Sequence, residues 1–235
     1  MQISARIDSN AVMRMLRNVE KQARYASVLA LNETAEIIRK AEVAEMVRVF
    51  DAPTPFTLRS VLITRATKAK PEAVIFLRNH ALKGVAPAKY LRAEVEGGTR
   101  RYKGMEQLLR NVPGGLLPNE YMMPGEGARL DAYGNVSRGQ VQQILSVLRA
   151  QRDPYQNTKK GAKNAKRYFI AHINGRKGIY ERVGQYRIMP VFIVVKKTPK
   201  YQPRFRFYDV ARNVAKREIN ARLKAKLAHA LATAR

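Results

Sequence analysis

The feature that most restricts the fold is an apolar stripe of nearly forty residues near the start of the chain. Val12, Leu16, Val19, Ala23, Ala26 and Ala30 recur at steps of three and four, and the pattern runs on through Leu31, Ala35 and Ile38 to about Phe50. That period lays apolar side chains along one face of an α-helix. Unbroken, such a helix reaches about 60 Å at roughly 1.5 Å per residue; a break, if there is one, falls near Ser27–Asn32. Asp8 or Ser9 is the expected cap. The segment Asp51-Ala-Pro-Thr-Pro-Phe56 ends it, because proline and the residue before it disfavour continued helix.

Beyond this exit the period changes. Ser60–Thr67 and Ala73–Arg78 are short β-prone runs joined by Lys68-Ala-Lys-Pro71, the pattern of an antiparallel hairpin. Ala88–Val95 and Met105–Arg110 predict short elements, and 112–136 is punctuated by glycine and proline. Ser137 caps an expected helix from about Gly139 to Gln151. Tyr168–Ile173 and Gly178–Val183 predict strands around the turn Asn174-Gly-Arg-Lys-Gly178, and Tyr186–Lys197 a third, making a three-stranded meander. From Asp209 or Tyr208 to about Leu231, Val214, Ile219, Leu223, Leu227 and Leu231 mark a second long helix. The expected class is α+β, with long N- and C-terminal helices packed with antiparallel β-hairpins and a meander. It is read as a single domain over 1–235, with irregular, basic loop regions at about 112–136 and 152–167.

The charge balance narrows the partners. Lys and Arg number 45 against 18 Asp and Glu, a formal net of +27. Residues 149–235 hold 23 of the cations and 4 of the acids, and so most of the excess. A field of this size calls for a polyanion, nucleic acid or acidic membrane. The run from Asn157 to Arg167 has no buried-face pattern and reads as an exposed loop. Lys159, Lys160, Lys163, Lys166 and Arg167 in that loop, with Arg212, Lys216, Arg217, Arg222, Lys224 and Lys226 on the last helix, are the candidate residues facing DNA or a partner. Lysine and arginine gain affinity there by releasing condensed counterions.

Chemistry is harder to find. With no cysteine there is no disulfide framework, thiolate nucleophile or cysteine-ligated metal, and His80, His172 and His229 are scattered. Glu33, Glu36, Glu42 and Glu45 on the first helix read as a solvated or inter-subunit charged face. Glu94 and Glu96 alternate, so on a strand they would share one side, with Arg92, Arg100 and Arg101 as expected ion-pair partners. The glycine pairs at 97–98 and 114–115 match neither G-x-G-x-x-G nor a P-loop. Ser60 and Ser137 lack a nucleophile-elbow context. Aromatic residues interleave with basic ones from Tyr168 to Tyr208, and alternation within a meander places them toward a core rather than on a nucleotide-stacking face. No catalytic residue, cofactor or metal ligand is expected. No apolar run is long enough to span a membrane and no secretory signal is visible, so a soluble protein made in a reducing cytoplasm is expected.

Several segments in order resemble a known family. They are the first helix with Leu31-Asn-Glu-Thr-Ala-Glu36, the exit Phe50-Asp-Ala-Pro-Thr-Pro-Phe56, the hairpin, the run Tyr90-Leu-Arg-Ala-Glu-Val-Glu-Gly-Gly-Thr-Arg100, and the basic C-terminal helix. Together they are similar to tail-completion proteins of tailed bacteriophages, the minor tail protein Z-like group, related to head–tail joining proteins. The stretch 112–136 departs from that pattern. The resemblance implies a structural, non-enzymatic virion protein of the neck, assembled in the host cytoplasm. It implies a homo-oligomeric ring with other neck, connector and tail proteins as partners. Nonspecific contact with packaged DNA fits that setting. The alternative is a sequence-nonspecific nucleic-acid-binding protein without a virion role.

Overall fold

The computed structural model describes residues 9–82 and 84–233, with side chains from residue 17 onward. In chain order the elements are α1 (Ser9–Val49), α2 (Pro55–Leu58), β1 (Val61–Thr64), β2 (Val74–Leu77), α3 (Pro87–Glu96), β3 (Gly98–Thr99), α4 (Gly104–Leu109), β4 (Tyr121–Pro124), α5 (Arg138–Val147), β5 (Tyr168–Ile173), β6 (Arg176–Val183), β7 (Arg187–Val195), β8 (Lys200–Tyr201) and α6 (Phe207–Ala232). This is the α+β class read from the sequence. The single domain expected there divides into two compact units, one of 1–95 with 204–235 and one of 96–203.

In the first unit α1 runs unbroken through Ser27–Asn32, the longer of the two courses its stripe allows; the cap assigned to Asp8 or Ser9 lies outside the described side chains. Ala26, Ala30, Ala35, Ile38 and Met46 on α1 are buried, as are Val214 and Ala230 on α6. The two helices pack antiparallel, since Glu33 meets Arg222 and Lys226 while Glu42 lies against Ala211. Met46, Val61, Leu91, Phe205 and Phe207 form the core beside them. β1 and β2 make the expected hairpin.

The motif Leu31–Glu36 is a set of cross-braces in this unit. Asn32 donates to Ala66 O at 3.1 Å and accepts from Ala66 N at 2.7 Å, so one amide side chain holds the exit of β1. Glu36 takes Arg39 and Arg65, and Ala35 is fully buried. Glu42 departs from the solvated face expected for it. It is fully buried, and neither carboxylate oxygen is ion-paired or makes a close, well-aligned hydrogen bond. Burial, aided by the charge of Glu45, pushes its pKa up to about 8, with the Ala211 backbone N–H opposing only in part.

In the second unit an antiparallel sheet runs β4-β7-β6-β5. The β5–β6 hairpin closes on Asn174 and Gly175 with φ of 50° and 71°, the paired positive φ values of a two-residue type I′ turn. The register Ile170↔Ile179↔Phe192 puts these residues on one face, where they meet Leu109 of α4 and Ile144 and Leu145 of α5 in the core. Ser137 caps α5 as expected, accepting from Gln140 N. The stretch 112–136 is not wholly irregular, because β4 within it adds a fourth strand to the meander.

Candidate nucleic-acid interface

The basic loop 157–167 is a chain of turns fastened at both ends. At its start Ser146 Oγ donates to Gln156 O at 2.7 Å, Thr158 N donates to Ser146 O at 3.0 Å, and Asn157 accepts from Gln151 N. Turns then close from Ala162 N to Lys159 O, Ala165 N to Ala162 O and Arg167 N to Asn164 O. At its end Arg182 donates from its backbone to Arg167 O and from its guanidinium to Lys166 O. Glycine at 161 and short side chains at 162 and 165 leave the lysines as the long groups of the loop, and all four are exposed.

The predicted cations divide into two sets. Arg167 is bound to Glu181, by Nε at 2.7 Å and Nη2 at 2.6 Å. Arg212 pairs with Asp209 and Arg217 with Glu218, while Arg222 bridges Glu218 and Glu33. Lys226 reaches the other oxygen of Glu33 at 2.7 Å. Arg222 and Lys226, which charge and periodicity alone place toward DNA, are therefore half-buried braces between α1 and α6. Among the described residues no carboxylate lies within ion-pair reach of Lys159, Lys160, Lys163 or Lys166 in the second unit, nor of Lys216 or Lys224 in the first.

The buried acids of the second unit are matched. Glu181 is buried and receives Arg167, Arg129 at 2.9 Å and, more weakly, Gln140. Burial pushes its pKa up, but the two guanidiniums more than offset this and hold it below the usual carboxylate range. Glu106 is likewise lowered against the cost of burial. It takes both Arg100 nitrogens at 2.6 and 2.7 Å and the backbone N–H groups of Lys103 and Met122. Glu120 pairs with Lys177. Glu94 sits on a helix rather than a strand and pairs with Arg204. Among the described residues no three acidic or histidine side chains gather to hold a metal.

The structure adds residues at the loop's end of the sheet that sequence reading missed. Arg182 N donates to Arg167 O just before β5, and Val183 lies opposite Arg187, so the β6–β7 turn emerges beside the start of β5. Arg182 and Arg187 are exposed there, the former stacked over Phe169 at 4.0 Å. Tyr186 in that turn is 89% exposed, whereas Tyr168, Tyr180 and Phe192 are buried as the core reading expected. No sequence signal separates Tyr186 from the core aromatics except its place beside Gly184-Gln185. No helix among the described residues is long and apolar enough to cross a membrane. No family model, curated protein or solved structure matches the chain.

Proposed function

We propose that this chain is a structural, non-catalytic protein of a tailed-phage neck, forming a ring at or near the DNA channel and touching the nucleic acid without reading its sequence. The supporting observation is the sorting of cations: the candidate residues without a carboxylate partner are all lysines, on a fastened loop and on α6, while each arginine among them is ion-paired with a carboxylate of the chain. An ammonium is a point charge that tolerates many phosphate positions, whereas base discrimination relies on planar, bidentate groups. Phosphates that replace condensed counterions at these lysines bind with strong salt dependence and little sequence preference. The neck setting itself rests on the ordered sequence resemblance.

The test pairs stoichiometry with salt dependence. Native mass spectrometry of the full chain should give one closed oligomer of fixed copy number, able to bind random-sequence duplex DNA. A monomer that binds DNA equally well would remove the ring and favour the alternative, a nonspecific nucleic-acid-binding protein without a virion role, which the same lysines support. A chain that binds no DNA at low salt would remove both.

A further inference from the structure

The two edges of the four-stranded sheet are built differently. In β4 the outward positions are Met122 and Pro124. The N–H of Met122 is taken by Glu106 Oε1 at 2.9 Å, and proline has none to offer. That edge is closed in the way sheets avoid unwanted pairing.

β5 has no such device. Arg182 N donates to Arg167 O at 2.8 Å, which fixes the alternation along the β5–β6 register. Phe169, Ala171 and Ile173 bond to β6, and the N–H and C=O groups of Tyr168, Ile170 and His172 point away from the sheet. Among the described residues none of these outward groups has a hydrogen-bond partner. The strand Tyr-Phe-Ile-Ala-His-Ile carries no proline, no lysine and no bulge.

Beside this edge lies an open groove of about 390 Å³, with Ile170, His172 and Lys177 on one side and Arg110, Val112 and Leu117 on the other. Ile170, His172 and Lys177 share one sheet face by register. An added strand would therefore bond to the edge and set alternate side chains into the groove. Unpaired main chain supplies affinity and the adjoining pocket supplies selectivity in this mode of recognition.

Charge decides the occupant. Residues 96–203 hold 20 Lys and Arg against 7 Asp and Glu, a net of +13. Arg110 lines the groove as an exposed cation, Lys177 beside it is already paired with the buried Glu120, and no carboxylate lines it. The loop lysines stand beyond the Tyr168 end of the strand, and Arg176 stands beyond its other end. A second copy would bring the same charges against themselves, whereas an acidic segment offsets them. We propose that the free edge of β5 takes an extended acidic segment of a partner protein as a fifth strand.

The probe is a synthetic peptide alternating glutamate with valine, titrated into the full-length chain by calorimetry. Two further versions carry N-methyl groups on the valines or on the glutamates. Alternate residues of a strand present their N–H groups to one edge, so one methylated version should bind like the parent. The other should lose about tenfold, equivalent to roughly 1.4 kcal/mol. A lysine–valine peptide should bind at least about tenfold more weakly, by the same conversion. On the protein side His172→Pro removes an outward N–H and none of the β5–β6 bonds; with melting unchanged, it should weaken the parent peptide. If that variant does not fold, the methylated pair still decides.

Absence of binding up to about 1 mM peptide, a limit of about 4 kcal/mol, overturns the proposal. So does binding that survives both methylation patterns, or equal binding of the lysine–valine peptide. An oligomer of the free chain that His172→Pro dissociates would give the edge to a second copy and overturn it too.

Discussion

Replacing Glu42 by glutamine should flatten the pH dependence of stability between pH 5 and 8. Glu42 is fully buried between α1 and α6 with neither oxygen ion-paired or closely hydrogen-bonded, and burial, reinforced by Glu45, raises its pKa to about 8. In the unfolded chain it titrates near the ordinary glutamate value of about 4.3. Between these two values the folded state holds a proton that the unfolded state has released. Stability therefore falls as pH rises, is insensitive to this group below the unfolded pKa, and has lost the full amount once pH passes the folded pKa. The span of about 3.7 pH units corresponds to roughly 5 kcal/mol, of which roughly 3 to 4 kcal/mol is already lost at pH 7. Glu33, Glu45, Glu106, Glu120 and Glu181 are shifted the other way. Their contributions are complete above the unfolded carboxylate pKa and fade only as pH drops below it, so they leave the window from 5 to 8 to Glu42. The assay is urea unfolding followed by far-ultraviolet circular dichroism at a series of pH values, since α1 and α6 dominate the helical signal. The wild type should lose close to one proton's worth of free energy per pH unit, about 1.4 kcal/mol. Glu42→Gln should lose most of that slope. An unchanged slope in the variant would refute the buried, proton-holding carboxylate.

Changing Lys159, Lys160, Lys163 and Lys166 to serine should lower the slope of log affinity against log salt for duplex DNA by up to about 3.6, at roughly 0.9 for each phosphate no longer neutralised; an unchanged slope in fluorescence anisotropy would take the loop away from the phosphates. Glu106→Ala leaves Arg100 half-enclosed without its partner and should cost about 3–5 kcal/mol, read as a fall in the denaturant midpoint of the unit 96–203. Asn32→Ala strips both bonds from Ala66 and should cost roughly 1–3 kcal/mol, measurable as a lowered thermal midpoint. Gly97→Ala should destabilise by about 1–3 kcal/mol, because φ there is +74° and a Cβ would stand 3.0 Å from the Pro203 ring; an equal or higher melting temperature would contradict that.

The long helices were legible because their signal is local. A 3.6-residue period over α1 and α6 needs no knowledge of the partner, and the Ser137 cap acts within a few residues of itself; the expected turn at 174–178 was too long, since it closes on Asn174 and Gly175 and β6 begins at Arg176. The net charge and its concentration toward the C-terminus were also plain. What escaped depends on groups far apart in the chain. β4 is four residues long and becomes a strand by pairing with β7 about seventy positions later. Glu94 and Glu96 alternate in a way that suggested a strand, but their segment is helical and Glu94 meets Arg204, more than a hundred residues away.

The candidate interface divides along the same line. Sequence alone determined which residues carry positive charge and that the loop holding Lys159 to Lys166 has no core-facing pattern, since both follow from residue type and spacing. Only the tertiary structure decided which of those charges are left over. Arg167, Arg222 and Lys226 lie in basic runs like their neighbours, yet Glu181 and Glu33 reach them across the fold. An ion pair depends on distances of a few ångströms between side chains, and those distances exist only after the backbone has closed. The burial of Glu42 was decided in the same way: its place on a helix follows from periodicity, but its neighbours follow from how α6 packs against α1.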